Sequence, residues 1–218
     1  MRDEYIHEIM ARLRDTKQVW EIPHVTQVAT KRRDPFLVLI STVLSLRTKD
    51  ATTAAASNCL FALADTPAEM QRLTTEQVEK AIYPVGFYHR KTRQILDICR
   101  ILLEQYGGHV PDEIDELLKL PGVGRKTANL VVTLGYGKLG ICVDTHVHRI
   151  SNRWGYVQTK SPDQTETALR AKLPQMYWIE YNDTLVAFGQ NVCYPISPRC
   201  SVCPVSRFCD RVGVERNR

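Results

Sequence analysis

Apolar residues recur with helical spacing along almost all of the 218 residues, and no run alternates with period two between turn signals. That excludes a sizeable sheet and predicts an all-α fold. Residues 4–14 place Tyr5, Ile6, Ile9, Met10 and Leu13 on one stripe. Asp34-Pro35 opens an apolar helix that reaches Leu46, with aspartate as cap and proline in the first turn. Further helices are expected over 50–63, from 66, and over 75–82, 91–106, 113–118, 125–134, 144–154, 164–173 and 180–191. No long linker, low-complexity segment or solenoid-type repeat interrupts them, so helical lobes should share the chain rather than follow one another along it.

With 44% hydrophobic residues the chain can build a real core. The longest apolar stretch, Phe36 to Leu46, has 11 residues and includes Ser41, Thr42 and Ser45. A bilayer span needs about 20, so this is a buried helix. The opening MRDEYIHEIM carries acids and no apolar core, unlike a secretory signal. A monomeric cytoplasmic protein with no membrane partner is expected. The formal charge of +5 is unevenly placed: Gly122 to Arg153 holds Arg125, Lys126, Lys138, Arg149 and Arg153 against Asp144 alone. Other basic clusters are Lys31-Arg32-Arg33 and His89-Arg90-Lys91 with Arg93. Clustered positive charge is the footprint of a phosphate-binding face, although on charge alone a solvated helix surface is the simpler explanation.

Cysteine spacing is more informative. Cys59, Cys99 and Cys142 stand in apolar or helical contexts and read as small buried hydrophobes. The other four, Cys193, Cys200, Cys203 and Cys209, crowd into the last 26 residues with intervals of six, two and five. Nothing points to export, so disulfides are a poor explanation. Zinc usually takes two Cys-x2-Cys knuckles and only one is present. Uneven spacing suits the four corners of an iron–sulfur cube, which puts a [4Fe–4S] cluster ahead of zinc. Pro195, Pro198 and Pro204 keep the segment from becoming a helix.

Leu120-Pro121-Gly122-Val123-Gly124-Arg125-Lys126 ends one helix, turns tightly and begins another. Glycine lets the backbone approach closely and its N–H groups point outward, where a helix N-terminus favours phosphate. This is a helix–hairpin–helix, a sequence-independent clamp on a nucleic-acid backbone. Lys126 lies in the first turn of the second helix. A neutral lysine amine there is a nucleophile that forms Schiff bases with sugar carbons; an ordinary phosphate contact is the simpler role on this segment alone. Asp144 directly precedes another helix, so it should cap the N–H of His146 or Val147 while presenting a carboxylate to a cationic sugar. His146 and His148, two apart, do not share a helix face and make a poor metal pair. His146 reads as structural and His148 as surface or DNA-facing.

Leu-Pro-Gly-Val-Gly-Arg-Lys-Thr-Ala, Val-Asp-Thr-His-Val and the terminal cysteine spacing together resemble the endonuclease III family of helix–hairpin–helix DNA glycosylases, in the same order over nearly the whole chain. The resemblance implies two helical lobes. One is a six-helix barrel over 28–138 with the helix–hairpin–helix at 113–134. The other joins 1–27 to 139–218 and holds the cluster loop 193–209. It implies double-stranded DNA as partner, removal of oxidised pyrimidines, and strand scission at the resulting abasic site. Lys126 and Asp144 would be catalytic. Gly122, Val123, Gly124, Arg125, Arg47, Phe87, His146 and Arg149 would contact DNA. Phe87 matches the family's wedge position, though a core aromatic is an equal reading. Arg199 and Arg207 of the cluster loop would reach phosphates.

The chain departs from the pattern at Leu44-Ser45-Leu46-Arg47-Thr48-Lys49-Asp50, where the family commonly has glutamine facing the orphaned base. Arginine only donates, and should prefer a partner such as guanine. An adenine glycosylase would need an acid within Phe36–Leu46, which has none. A monofunctional mismatch enzyme would not need Lys126. A non-catalytic, redox-sensing DNA-binding protein would need neither Lys126 nor Asp144.

Overall fold

A computed structural model of the chain describes residues 1–17 and 23–218. Among the described residues, local side-chain caps set five of the helix starts. Oδ1 of Asp34 accepts from the N–H groups of Phe36 (2.9 Å) and Leu37 (3.3 Å), and Pro35 fills the first helical position. Thr74 and Gln77 form a reciprocal capping box. Thr66 and Ser161 cap two further starts, each with proline next. The resulting helices are α1 (Ile6–Lys17), α2 (His24–Lys31), α3 (Pro35–Ser45), α4 (Asp50–Leu63), α5 (Pro67–Met70), α6 (Thr75–Ile82), α7 (Tyr88–Gln105), α8 (Ile114–Leu117), α9 (Arg125–Leu130), α10 (Thr145–Arg153), α11 (Pro162–Lys172) and α12 (Trp178–Asn191). Among the described residues there is no strand, and the fold is all-α.

Two of these differ from the sequence expectation. Helix α2 carries no local cap signal; its first N–H, at His24, donates to Oδ2 of Asp50 (2.9 Å), 26 residues away. The helix expected over 125–134 stops at Leu130 and widens into a π turn, Val131–Gly135, closed by Tyr136 N–H to Val131 O (3.2 Å). Gly135 sits so close to Pro35 that a Cβ there would lie 2.9 Å from the proline Cα.

The chain divides into two compact units, residues 24–140 and residues 1–23 with 141–218. The first has its own core, built on the fully buried α3 residues Val38, Leu39, Ile40 and Val43 and on Ile95, Ile98 and Leu102 of α7. The second joins the two ends of the sequence. The α1 stripe Ile6, Ile9, Met10 and Leu13, each 1% exposed or less, packs with Tyr181, Leu185 and Phe188 of α12 and with Ile150 and Trp154. Burying such side chains contributes about 1.5–3 kcal/mol each, which is why a short N-terminal helix is held by a distant part of the sequence. No helix among the described residues is long and apolar enough to cross a membrane.

Candidate active site

Within residues 24–140 the hairpin is a turn from α8 to α9. The N–H of Val123 donates to Leu120 O (3.2 Å), Val123 is buried, and Gly122, Gly124 and Arg125 are exposed. Gly122 has φ +77°, a left-handed backbone that favours glycine; a Cβ there would also displace the flexible end of the Gln94 side chain. Gly124 stands at the N-cap of α9, where it offers no capping oxygen. Lys126, in the first turn, is half-buried.

Two further turns face the hairpin in the same unit. Arg47, after α3, and Phe87, before α7, both adopt left-handed backbone, with φ +54° and +60°. Each such residue costs of order 1–3 kcal/mol unless its surroundings impose it. The Arg47 guanidinium lies over the Phe87 ring, 5.9 Å from its centroid, and Phe87 is 63% exposed, which removes the core-aromatic reading. With Leu46, Arg90, Lys91, Gln94 and Gly122 they line one open concavity of about 320 Å³, within the range of ligand sites. Thus Gly122, Arg47 and Phe87, distant in sequence, share a surface.

The sequence counted Lys91 in the surface basic cluster His89-Arg90-Lys91, yet it is 4% exposed at this concavity and is not part of a charged face. Its Nζ donates to the carbonyls of Leu44 (2.8 Å) and Leu46 (2.6 Å) and to the Thr48 hydroxyl (3.1 Å). Burial pushes its ammonium down to about 8. A signal was available: Lys91 falls on the stripe with Ile95, Ile98 and Leu102, where helical spacing calls for an apolar residue.

In the other unit Asp144 caps α10, Oδ1 accepting from both His146 N–H (2.8 Å) and Val147 N–H (2.9 Å). His146 packs against Gly189 of α12, where a Cβ would strike its ring. Arg149 turns inward: Nη2 donates to the Cys193 carbonyl (2.8 Å) and lies 3.2 Å from His146 Nδ1. His148 is not a surface residue but half-buried, its Nδ1 2.7 Å from the Thr165 hydroxyl of α11. Cys59 departs from expectation too. Thr53, Ala56, Ser57 and Leu60 form the inner face of α4, and position 59 falls outside it, exposed. Cys99 and Cys142 are buried, and burial pushes the Cys99 thiol up to about 12.

None of the seven cysteines is in a disulfide. Cys193, Cys200, Cys203 and Cys209 line one cavity with Trp154, Phe188 and Val192. Arg153 Nη1 donates to Cys193 Sγ (3.2 Å) and Arg211 N–H to Cys209 Sγ (3.3 Å). Arg207 pairs with Glu8 (3.1 Å), and the Arg199 guanidinium lies over the Tyr194 ring.

Residues 40–175 match the model of the HhH-GPD superfamily base excision DNA repair proteins. The chain is 49% identical over 180 residues to endonuclease III of Thermotoga maritima, covering 83% of this chain and 84% of that one. The chain belongs to the endonuclease III family. A chloroplastic endonuclease III homologue of Arabidopsis thaliana is 43% identical over 189 residues; these cover 83% of this chain and 49% of that one, so the chain spans about half the length of this relative. A solved structure of a trapped endonuclease III–DNA covalent intermediate, an estranged-adenine complex, superposes with a TM-score of 0.85 at 33% identity and covers 97% of both chains.

Membership of the endonuclease III family suggests an iron–sulfur cluster, and the cysteine loop brings four thiols to one cavity. Four thiols around one cavity are the donor set that an iron–sulfur cluster takes. Burial pushes the Cys203 thiol up to about 11 and the Cys209 thiol upward. Such thiols are inert until a cation converts them to thiolates, and the N–H donors from Arg153 and Arg211 suit sulfurs that carry charge.

Proposed function

We propose that the chain is a bifunctional DNA glycosylase and abasic-site lyase of base excision repair, acting on double-stranded DNA that carries an oxidised pyrimidine. The observation that carries this reading is Lys126 in the first turn of α9, directly behind a glycine hairpin. Backbone N–H groups there suit a phosphate, and an amine beside them suits attack on the adjoining deoxyribose. A structurally similar endonuclease III was itself trapped as a covalent intermediate with DNA.

The damaged base leaves the stack at a cost of a few kcal/mol. Phe87 fills the gap and Arg47 meets the orphaned base, for which guanine is the best-matched partner. The Lys126 amine attacks C1′; the new C–N bond forms as the glycosidic bond breaks, and the base departs with that bonding pair and gains the proton the amine gives up. The Asp144 carboxylate offsets the positive charge developing on the sugar. Ring opening leaves an imine between Lys126 and C1′, which acidifies C2′–H. Loss of that proton expels the 3′ phosphate, and water then releases the lysine. Gly122, Gly124 and Arg125, exposed on the hairpin, contact the DNA backbone through N–H groups and charge, while the buried Val123, whose N–H is used on Leu120 O, holds the turn that presents them; in the other unit His146 and Arg149 support α10. Cys193, Cys200, Cys203 and Cys209 would hold a [4Fe–4S] cluster, which supplies a rigid brace for the loop bearing Arg199 and Arg207 and makes none of these bonds.

Borohydride reduction on an abasic-site duplex tests the reading. Intact protein is expected to give a covalent protein–DNA adduct and Lys126→Ala none, while Lys126→Ala still binds the duplex. Equal trapping by both would overturn the assignment.

A further inference from the structure

The mechanism above leaves Lys91 without a part. It is a cation buried to 4% exposure, and no carboxylate among the described residues pairs with it. Burying an ammonium without an anion is unfavourable unless every N–H is used. Here all three are used, on Leu44 O, Leu46 O and Thr48 Oγ1. The two carbonyls belong to the C-terminal end of α3, the negative end of the helix dipole. The hydroxyl leads further. Thr48 Oγ1 also accepts from the N–H of Gly86 (3.2 Å) and donates toward Leu46 O (3.3 Å), so its capacity is full. Gly86 in turn sits against Arg47, where a Cβ would lie 2.8 Å from the Arg47 carbonyl oxygen. The tips of the two turns, Arg47 and Phe87, are exposed and left-handed, and are held from below by this one chain of hydrogen bonds.

We infer that Lys91 and Thr48 are positioning residues that lock the turns bearing Arg47 and Phe87 into one rigid two-pronged wedge, needed to extrude a paired base but not to cleave where the base is already gone. The inference rests on the proposed glycosylase and lyase activities. An unlocked wedge still closes over a gap, but it no longer enters an intact stack in register. Displacements of about 1 Å in a positioned group are enough to slow a reaction about 10²-fold. At an abasic site the stack is already interrupted, and Lys126 reaches C1′ without help from the wedge.

Single-turnover rates on two duplexes test this, one carrying thymine glycol and one a preformed abasic site. A 2-aminopurine next to the lesion reports unstacking. Thr48→Val removes only the shared hydroxyl, Thr48→Ser restores it, and Lys91→Met removes the charge. Thr48→Val and Lys91→Met are expected to lose about 10²-fold in excision and most of the 2-aminopurine rise, with abasic-site cleavage unchanged. Thr48→Ser should behave as wild type. Unchanged excision in Thr48→Val, or equal losses on the two duplexes, overturns the inference. If the intact protein gives no borohydride adduct at all, it is the glycosylase–lyase reading that falls.

Discussion

Asp144 has a capping role and a proposed catalytic one, which substitution can separate. Its Oδ1 satisfies two first-turn N–H groups of α10 at 2.8 and 2.9 Å, and the residue is 9% exposed. Asp144→Ala leaves both donors with little access to water, so the loss belongs at the upper end for a cap, about 2 kcal/mol. At about 2–4 °C per kcal/mol for a chain of this length, the melting temperature should fall by roughly 6 °C. Asp144→Asn keeps an acceptor oxygen in the same place and loses only the charge–dipole attraction, about 0.5 kcal/mol or roughly 2 °C. Catalysis should not follow that order. If the charge stabilises the cationic sugar, both variants lose about 10²–10³-fold in single-turnover excision. Calorimetry alongside excision kinetics reads both quantities on the same samples. An asparagine variant that is both stable and active would refute the catalytic carboxylate. One that melts as low as the alanine variant would refute the capping account.

Three further outcomes are expected. Arg47→Gln should shift the preference for the opposite base away from guanine in a panel of otherwise identical duplexes; an unchanged preference would show that Arg47 does not read that base. Purified protein should be brown and carry about four irons per chain, whereas a colourless preparation loaded with zinc would remove the cluster. Lys91 gives a pH signature: folded, its ammonium is pushed down to about 8, below the unfolded value near ~10.4. Between these the unfolded chain binds more protons than the folded one, so stability rises with pH across that window. Relative to Lys91→Met, urea melts should show wild type gaining about 2–3 kcal/mol from about pH 7 to about pH 10.5; a flat or falling difference would contradict the buried ammonium.

What the sequence determined by itself was whatever depends on neighbours a few residues apart. The α1 stripe, the Asp34, Thr66 and Asp144 starts, the glycine hairpin and the cysteine spacing are all written within one or two helical turns. Hydrogen bonds and side-chain faces at that range follow from helix geometry alone. The tertiary structure decided the rest, because the deciding partner lay far along the chain. Helix α2 starts on a carboxylate 26 residues later, and Arg149 turns toward a carbonyl 44 residues away. Lys91 reaches back 43 to 47 residues to join two turns that no local pattern connects. A buried cation is unfavourable wherever it lacks partners, and only the folded chain brings three acceptors to one nitrogen.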